Sequence, residues 1–316
     1  MTRILITGAT GFVGSHLVDC LVQNEYELFG VNRTIPQLAP GSKPNLTWYS
    51  CDICDQKTLE QIIDLVNPDV IFHLAGVLKS SDAQAFYRVN VQGTVALLEA
   101  VIALGLAPKI LVANSSAVYG LGTSTKPILE QFDLEPLTHY AVSKAAQEMV
   151  TRRYFLTYGL PIICVRTFNL IGPGQSAEFA CSAFARQIAL AELKQEPVTI
   201  ATGNLTAFRD FVDVRDAVQA YVLLFKLGQA GQVYNVCCEK AVSIQHCLEI
   251  LLEMTRIPFT TIVDPTLVQS NDVSYQLGSA AKLYNLTGWK PNITLQQSLA
   301  GLLDYWRKKV GGQVGD

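Results

Sequence analysis

Arg3-Ile-Leu-Ile-Thr7, followed without interruption by Gly8-Ala-Thr-Gly11-Phe-Val-Gly14, decides the fold. A short apolar run of the buried-strand type leads into three evenly spaced glycines, and the apolar positions Phe12, Leu17 and Leu21 then follow a helical pattern. Strand, glycine turn and helix in that order form an anion cradle. The first glycine permits a tight turn, the second lets backbone approach a pyrophosphate, and the third lets the helix pack close to the sheet. The helix N-terminus adds N–H donors and the positive end of a dipole. Gly8, Thr10, Gly11, Phe12, Val13 and Gly14 are the dinucleotide-binding candidates in this stretch.

Working outward, apolar runs end repeatedly at residues suited to a ligand. Glu27-Leu-Phe-Gly-Val31 ends at Asn32-Arg33, where a carboxylate would accept from ribose hydroxyls and repel a 2′-phosphate; an amide and a cation there favour NADP(H), with NAD(H) as the alternative. Leu46-Thr-Trp-Tyr-Ser50 leads to Asp52-Ile53, with Asp52 placed to accept from an adenine amino group. Val70-Ile-Phe-His-Leu74 leads to Ala75-Gly76, small residues that leave room for a cofactor; His73 reads as a core histidine. Lys109-Ile-Leu-Val-Ala113 ends in Asn114-Ser115-Ser116, two hydroxyls at the same sheet edge. The alternation of strands and helices predicts an α/β chain built on a Rossmann-type doubly wound parallel sheet.

The helical segment that Gly159-Leu-Pro161 stops begins near Tyr140-Ala-Val-Ser-Lys144, where a phenol and an ammonium four residues apart share a helix face. A lysine beside a tyrosine favours the phenolate, so the pair is expected to lower the tyrosine pKa and supply an acid/base. Beyond about residue 168 the alternation loosens into a smaller C-terminal α/β lobe, with helices expected at 182–194, 214–227, 243–254 and 294–308. The expected division is a dinucleotide-binding domain over 1–168 and a substrate-binding lobe over 169–316, with segments near 208–236 able to return to the sheet.

Composition excludes other classes. The chain has 316 residues and a formal net charge of -3, with Lys and Arg scattered rather than striped, which argues against nucleic acid. No apolar run reaches the roughly 20 residues a bilayer span needs, and the N-terminus lacks a signal-peptide layout, so a cytoplasmic protein without a membrane partner is expected. The eight cysteines are read as reduced; Cys51 and Cys54 form a C-x-x-C with no second pair to complete a metal site, and no metal is expected.

With the glycine turn, Ser115, Tyr140-x-x-x-Lys144 and Arg209-Asp-Phe-Val-Asp213 in place, the chain resembles the extended short-chain dehydrogenase/reductases over nearly its whole length. Phe168-Asn-Leu-Ile-Gly-Pro-Gly-Gln175, Phe184-Ala-Arg-Gln-Ile188, Gly203-Asn-Leu205, Val233-Tyr-Asn-Val-Cys237 and Thr287-Gly-Trp-Lys-Pro291 look like the branch holding GDP-mannose 4,6-dehydratases and GDP-4-keto-6-deoxymannose reductases. The resemblance implies Tyr140 as acid/base, Lys144 as its partner and ribose contact, and Ser115 as the hydroxyl orienting the substrate oxygen. It implies Asn90 as a helix residue supporting the lysine, and Ser116, Asn169, Arg186 and Arg209 as substrate contacts. A homodimer formed through the helices carrying Asn90 and Tyr140 is also implied.

Two departures bear on the reaction. Ala117 stands where dehydratases of this group place an acid, which disfavours loss of water, and reductases often keep a Glu there. Gln269-Ser-Asn271 replaces an Arg-Pro pair ahead of Asp272, a lost cation worth roughly 1–3 kcal/mol at a diphosphate. The leading expectation is NADPH-dependent reduction of a 4-keto group on a nucleotide-activated deoxysugar. The alternatives are an NAD-dependent nucleotide-sugar 4-epimerase, a reductase of a substrate lacking the diphosphate, and a non-catalytic dinucleotide sensor.

Overall fold

A computed structural model describes residues 1–35, 45–120, 126–268 and 273–312; the Gln269–Asp272 stretch lies outside the described residues. In chain order the elements are β1 (Thr2–Thr7), α1 (Phe12–Leu21), β2 (Tyr26–Asn32), β3 (Leu46–Ser50), α2 (Gln56–Val66), β4 (Val70–His73) and α3 (Ala83–Phe86). A π turn (Tyr87–Gln92) joins α3 to α4 (Gly93–Ala103), and β5 (Lys109–Ser115), a 3-10 turn (Ser116–Tyr119), α5 (His139–Tyr158), β6 (Ile162–Thr167) and β7 (Asn169–Ile171) follow. The remainder is α6 (Ala180–Lys194), β8 (Val198–Thr202), β9 (Phe208–Asp213), α7 (Val214–Leu227), β10 (Val233–Val236), β11 (Ala241–Ser243), α8 (Ile244–Glu253), β12 (Phe259–Val263), α9 (Ala281–Thr287) and α10 (Leu295–Gly312).

Seven parallel strands form one sheet in the order β10-β6-β5-β4-β1-β2-β3. The order reverses between β1 and β4, where Thr7 pairs with His73, so Gly8 and Leu74 emerge side by side at the switch point. Alternation along each strand supplies both layers. Ile4 and Ile6 pack with Leu17, Val218 and Tyr221 under α1 and α7, while Leu5 packs with Leu59, Ile63 and Leu97 under α2 and α4.

Smaller sheets β11-β9-β7 and β12-β8 lie outside the seven-stranded sheet, and Phe184, Ile188, Leu251, Leu302 and Trp306 from α6, α8 and α10 pack into a separate core. The chain thus crosses back when β10 adds to the edge of the large sheet beside β6. No helix among the described residues is long and apolar enough to cross a membrane.

Candidate active site

The glycine turn after β1 is shaped by close approach. Gly8 has φ +71°, and a Cβ there would lie 2.8 Å from Ala75 N; a Cβ on Gly14 would lie 2.2 Å from Gly8 O. Only glycine permits both contacts. Thr10 donates from N–H and Oγ1 to Asn32 Oδ1 at 3.2 and 3.0 Å, which ties the turn to the end of β2. Asn32 Nδ2 is buried with no partner among the described residues, a donor held beside the exposed Arg33. Leu74 N–H bonds Thr7 O and Ala75 N–H bonds Thr7 Oγ1, which sets the Leu74–Gly76 backbone beside the first turn. The exposed Asp52 accepts from Cys54 N–H, and buried Ile53 packs against Gly93.

Ser115 ends β5. Its N–H donates to Asn114 Oδ1 at 2.7 Å and its Oγ caps the 3-10 turn by accepting from Ala117 N–H at 3.2 Å. Tyr140 stands in the first turn of α5, which Thr138 caps through Ala141 N–H. The Ser115 hydroxyl acts on the Tyr140 phenol in the direction that lowers its pKa. Phe86 closes on the tyrosine ring edge-on, with centroids 6.3 Å apart.

Lys144, one turn further along α5, is buried, and its Nζ donates to Ala113 O and Gln147 Oε1, both at 2.8 Å. Burial lowers its pKa to about 8. The expectation that Lys144 draws the phenol below its ordinary value does not hold here. Burial raises the Tyr140 pKa against the smaller opposing effect of the Ser115 hydroxyl, and the ammonium donates to Ala113 and Gln147. The favoured form is the protonated phenol, a proton donor.

Behind the lysine runs a directional chain of buried polar groups. Thr94 Oγ1 donates to Asn90 O at 2.7 Å and accepts from Gln147 Nε2 at 2.7 Å, so its 2.9 Å contact with His73 Nε2 requires a proton on that nitrogen. His73 Nδ1 then accepts from Thr7 Oγ1 at 2.8 Å. A neutral ring satisfies every partner, in keeping with burial lowering the His73 pKa to about 3. Asn90, in the π turn, accepts from Val77 N–H and donates to Val77 O and Ser143 Oγ. A Cβ on Gly76 would lie 3.0 Å from Asn90 Oδ1 and 3.6 Å from Lys144 Nζ, so the small Ala75-Gly76 turn covers the lysine.

The chain is similar to known proteins over nearly its whole length. The model of the GDP-mannose 4,6-dehydratase family matches residues 5–301. The chain belongs to that family. It is an NAD(P)-dependent enzyme of the extended short-chain dehydrogenase/reductase class. It is 33% identical to GDP-6-deoxy-D-mannose reductase of Pseudomonas aeruginosa, with 98% of each chain covered. The structure of RMD from Pseudomonas aeruginosa complexed with NADPH superposes with a TM-score of 0.84 at 31% identity, covering 98% of this chain and 100% of that one. A UDP-glucose 4-epimerase from Thermotoga maritima, solved with UDP-glucose, gives 0.88 at 25% identity over 97% of this chain and 99% of that one.

The fold of the family brings most of the sequence-derived candidates to one edge. Ser115 pairs in register with Thr167, and Asn169 follows two residues later. Asn169 Nδ2 donates to Asp210 O and to Gln276 Oε1, and Ser116 Oγ donates to the same Oε1. Arg209 Nη1 donates to Phe208 O and Val273 O. Arg186 lies on the exposed face of α6 with its guanidinium over the Trp306 ring.

Gln147, Thr94 and Gln276 are absent from the sequence-derived candidates. Gln147 shares a helix face with Lys144, three residues away, and Thr94 is one turn from Asn90, so both spacings carried a signal. Gln276 carried none, since 160 residues separate it from Ser116.

Proposed function

We propose that the protein reduces the 4-keto group of a nucleotide-activated deoxysugar of the GDP-4-keto-6-deoxymannose type, using NADPH. The observation that carries this reading is the placement of Ser115 at the end of β5 and of Tyr140 in the first turn of α5, its phenol kept protonated by burial, one helical turn from the buried Lys144. When bound, the reduced nicotinamide supplies a hydride to the carbonyl carbon. Tyr140 holds a proton on its phenol and gives it to the carbonyl oxygen. Ser115 Oγ, fixed by the Ala117 N–H, donates to the same oxygen and draws charge toward it. Lys144 offsets the negative charge left on the phenol and has a further N–H for a ribose hydroxyl. Ala117, in the turn after Ser115, offers no carboxylate for removing water from the sugar.

Gly8, Thr10, Gly11, Phe12, Val13 and Gly14 are assigned to the pyrophosphate, Asp52 and Ile53 to the adenine end, and Leu74, Ala75, Gly76 and Asn90 to the nicotinamide half. The cation Arg33 beside Asn32, whose Nδ2 has no partner among the described residues, supports a 2′-phosphate and hence NADPH. Ser116, Asn169, Arg186 and Arg209 are assigned to the substrate. Val142, Met149 and Leu156 form an apolar stripe on α5, the latter two 70% and 68% exposed, which supports a homodimer built on that helix.

The deciding measurement is NADPH oxidation by the purified protein with GDP-4-keto-6-deoxymannose; no oxidation across a panel of keto-sugar nucleotides refutes the reading. The likeness to the Thermotoga epimerase favours one alternative, a nucleotide-sugar 4-epimerase. Mass analysis of released cofactor separates the two, because retained NAD with no net turnover indicates epimerisation.

A further inference from the structure

Gln276 is the point at which the second lobe grips the catalytic edge of the sheet. It is buried, and its backbone N–H donates to Phe208 O at 3.1 Å at the start of β9. Its side chain makes three bonds in the opposite direction. Nε2 donates to Ser116 O at 3.1 Å, while Oε1 accepts from Ser116 Oγ at 3.3 Å and from Asn169 Nδ2 at 3.0 Å. One amide thus holds both the residue after Ser115 and the cleft asparagine.

The consequence lies in which atoms remain available. Asn169 has two amide hydrogens, and Asp210 O and Gln276 Oε1 take both. Its remaining polar atom is the carbonyl oxygen, an acceptor, on a residue that is only half-buried. The Ser116 hydroxyl is likewise spent on Gln276, so Ser115 is the serine left to meet a carbonyl oxygen.

We propose that Gln276 is a positioning and specificity-determining residue, which fixes the Ser116 turn behind Ser115 and makes Asn169 present an acceptor, so that the adjoining subsite takes a hydroxyl or other N–H or O–H donor of the substrate. A site built around a fixed acceptor discriminates against a ligand that brings a second acceptor, because two lone pairs then face each other unpaired. This inference rests on the reductase reading above.

The two halves of the amide separate experimentally in the full-length enzyme with NADPH and GDP-4-keto-6-deoxymannose. Gln276→Glu keeps the acceptor for Asn169 and Ser116 Oγ and loses the donor to Ser116 O, so KM stays within about twofold while kcat falls on the order of tenfold. Gln276→Leu loses both functions, so KM rises about tenfold as well. NADPH affinity, read by fluorescence, remains at the wild-type value in both and serves as the control for folding. An active wild type whose two variants match it, or whose variants lose NADPH affinity in parallel with turnover, overturns the role of Gln276 and leaves the reductase reading standing. A wild type that oxidises no NADPH overturns the reductase reading and this inference with it.

Discussion

Lys144 Nζ donates to Gln147 Oε1 at 2.8 Å, so the buried ammonium has a neutral amide partner within its own helix and no carboxylate among the described residues hydrogen-bonded to it. A neutral partner offsets only part of the cost of burying the charge, which is why the lysine pKa falls to about 8. Turnover that depends on the charged lysine should therefore decline as pH rises through about 8. An acceptor beside an ammonium stabilises its charged form. Gln147→Met should move that decline to lower pH, and Gln147→Glu should move it to higher pH. Profiles of kcat against pH for the three proteins check the order, and coincident profiles would remove Gln147 from the account.

The roles proposed for Ser115 and Tyr140 predict unequal losses. Tyr140→Phe removes the proton donor and should reduce kcat by about 10²–10⁴-fold, while Ser115→Ala removes one donor to the developing oxyanion and should cost about 10²–10³-fold. NADPH binding should survive both changes. Single-turnover absorbance at saturating cofactor measures the chemical step directly, and a Tyr140→Phe enzyme with wild-type rates would exclude the phenol as acid.

At the other end of the cofactor, Arg33→Ala should lower the preference for NADPH over NADH by about tenfold, the worth of one charge-assisted bond to a 2′-phosphate. Asn32→Asp should lower it further by facing the phosphate with a second anion. Gly14→Ala acts differently: its Cβ would lie 2.2 Å from Gly8 O and 2.7 Å from Ala9 Cα, both backbone, so both dinucleotides should lose affinity together. Calorimetric titration with each cofactor distinguishes the two patterns.

What the sequence disclosed and what it withheld divide along contact range. Helix α7 was legible over Val214–Leu227 because Asp213 caps it through Arg215 N–H and its apolar residues keep one face. Tyr140 and Lys144 share a face of α5 as their spacing requires. Strands β7 and β11 have only three residues each, too few for a period, and β12 is exposed along its length, so none shows a buried face in sequence. The π turn around Asn90 depends on bonds to Val77 and Ser143, residues placed by other elements. The lowered Tyr140 pKa expected from the lysine neglected burial, which no local pattern reveals.

His73 offers a test that does not depend on any substrate. The unfolded chain takes up a proton on this ring near pH 6.5, whereas the fold refuses it until about 3, so the unfolded state binds more protons in that window and stability falls as pH falls. By pH 5 the site should have cost about 2 kcal/mol relative to neutral pH. Asp210 acts with the opposite sign: burial raises its pKa to about 7 from 3.8, so acid stabilises the fold through that carboxyl and masks the histidine in the wild-type profile. The comparison that isolates His73 is therefore a difference. His73→Asn disturbs the Thr7 and Thr94 bonds at every pH, which lowers stability by a constant amount, but it removes the titrating group. The stability gap between wild type and variant, measured by urea unfolding, should narrow by about 2 kcal/mol between pH 7.5 and pH 5. A gap that stays constant over that range would mean that the ring titrates alike in the folded and unfolded chain, so that the fold does not hold it neutral.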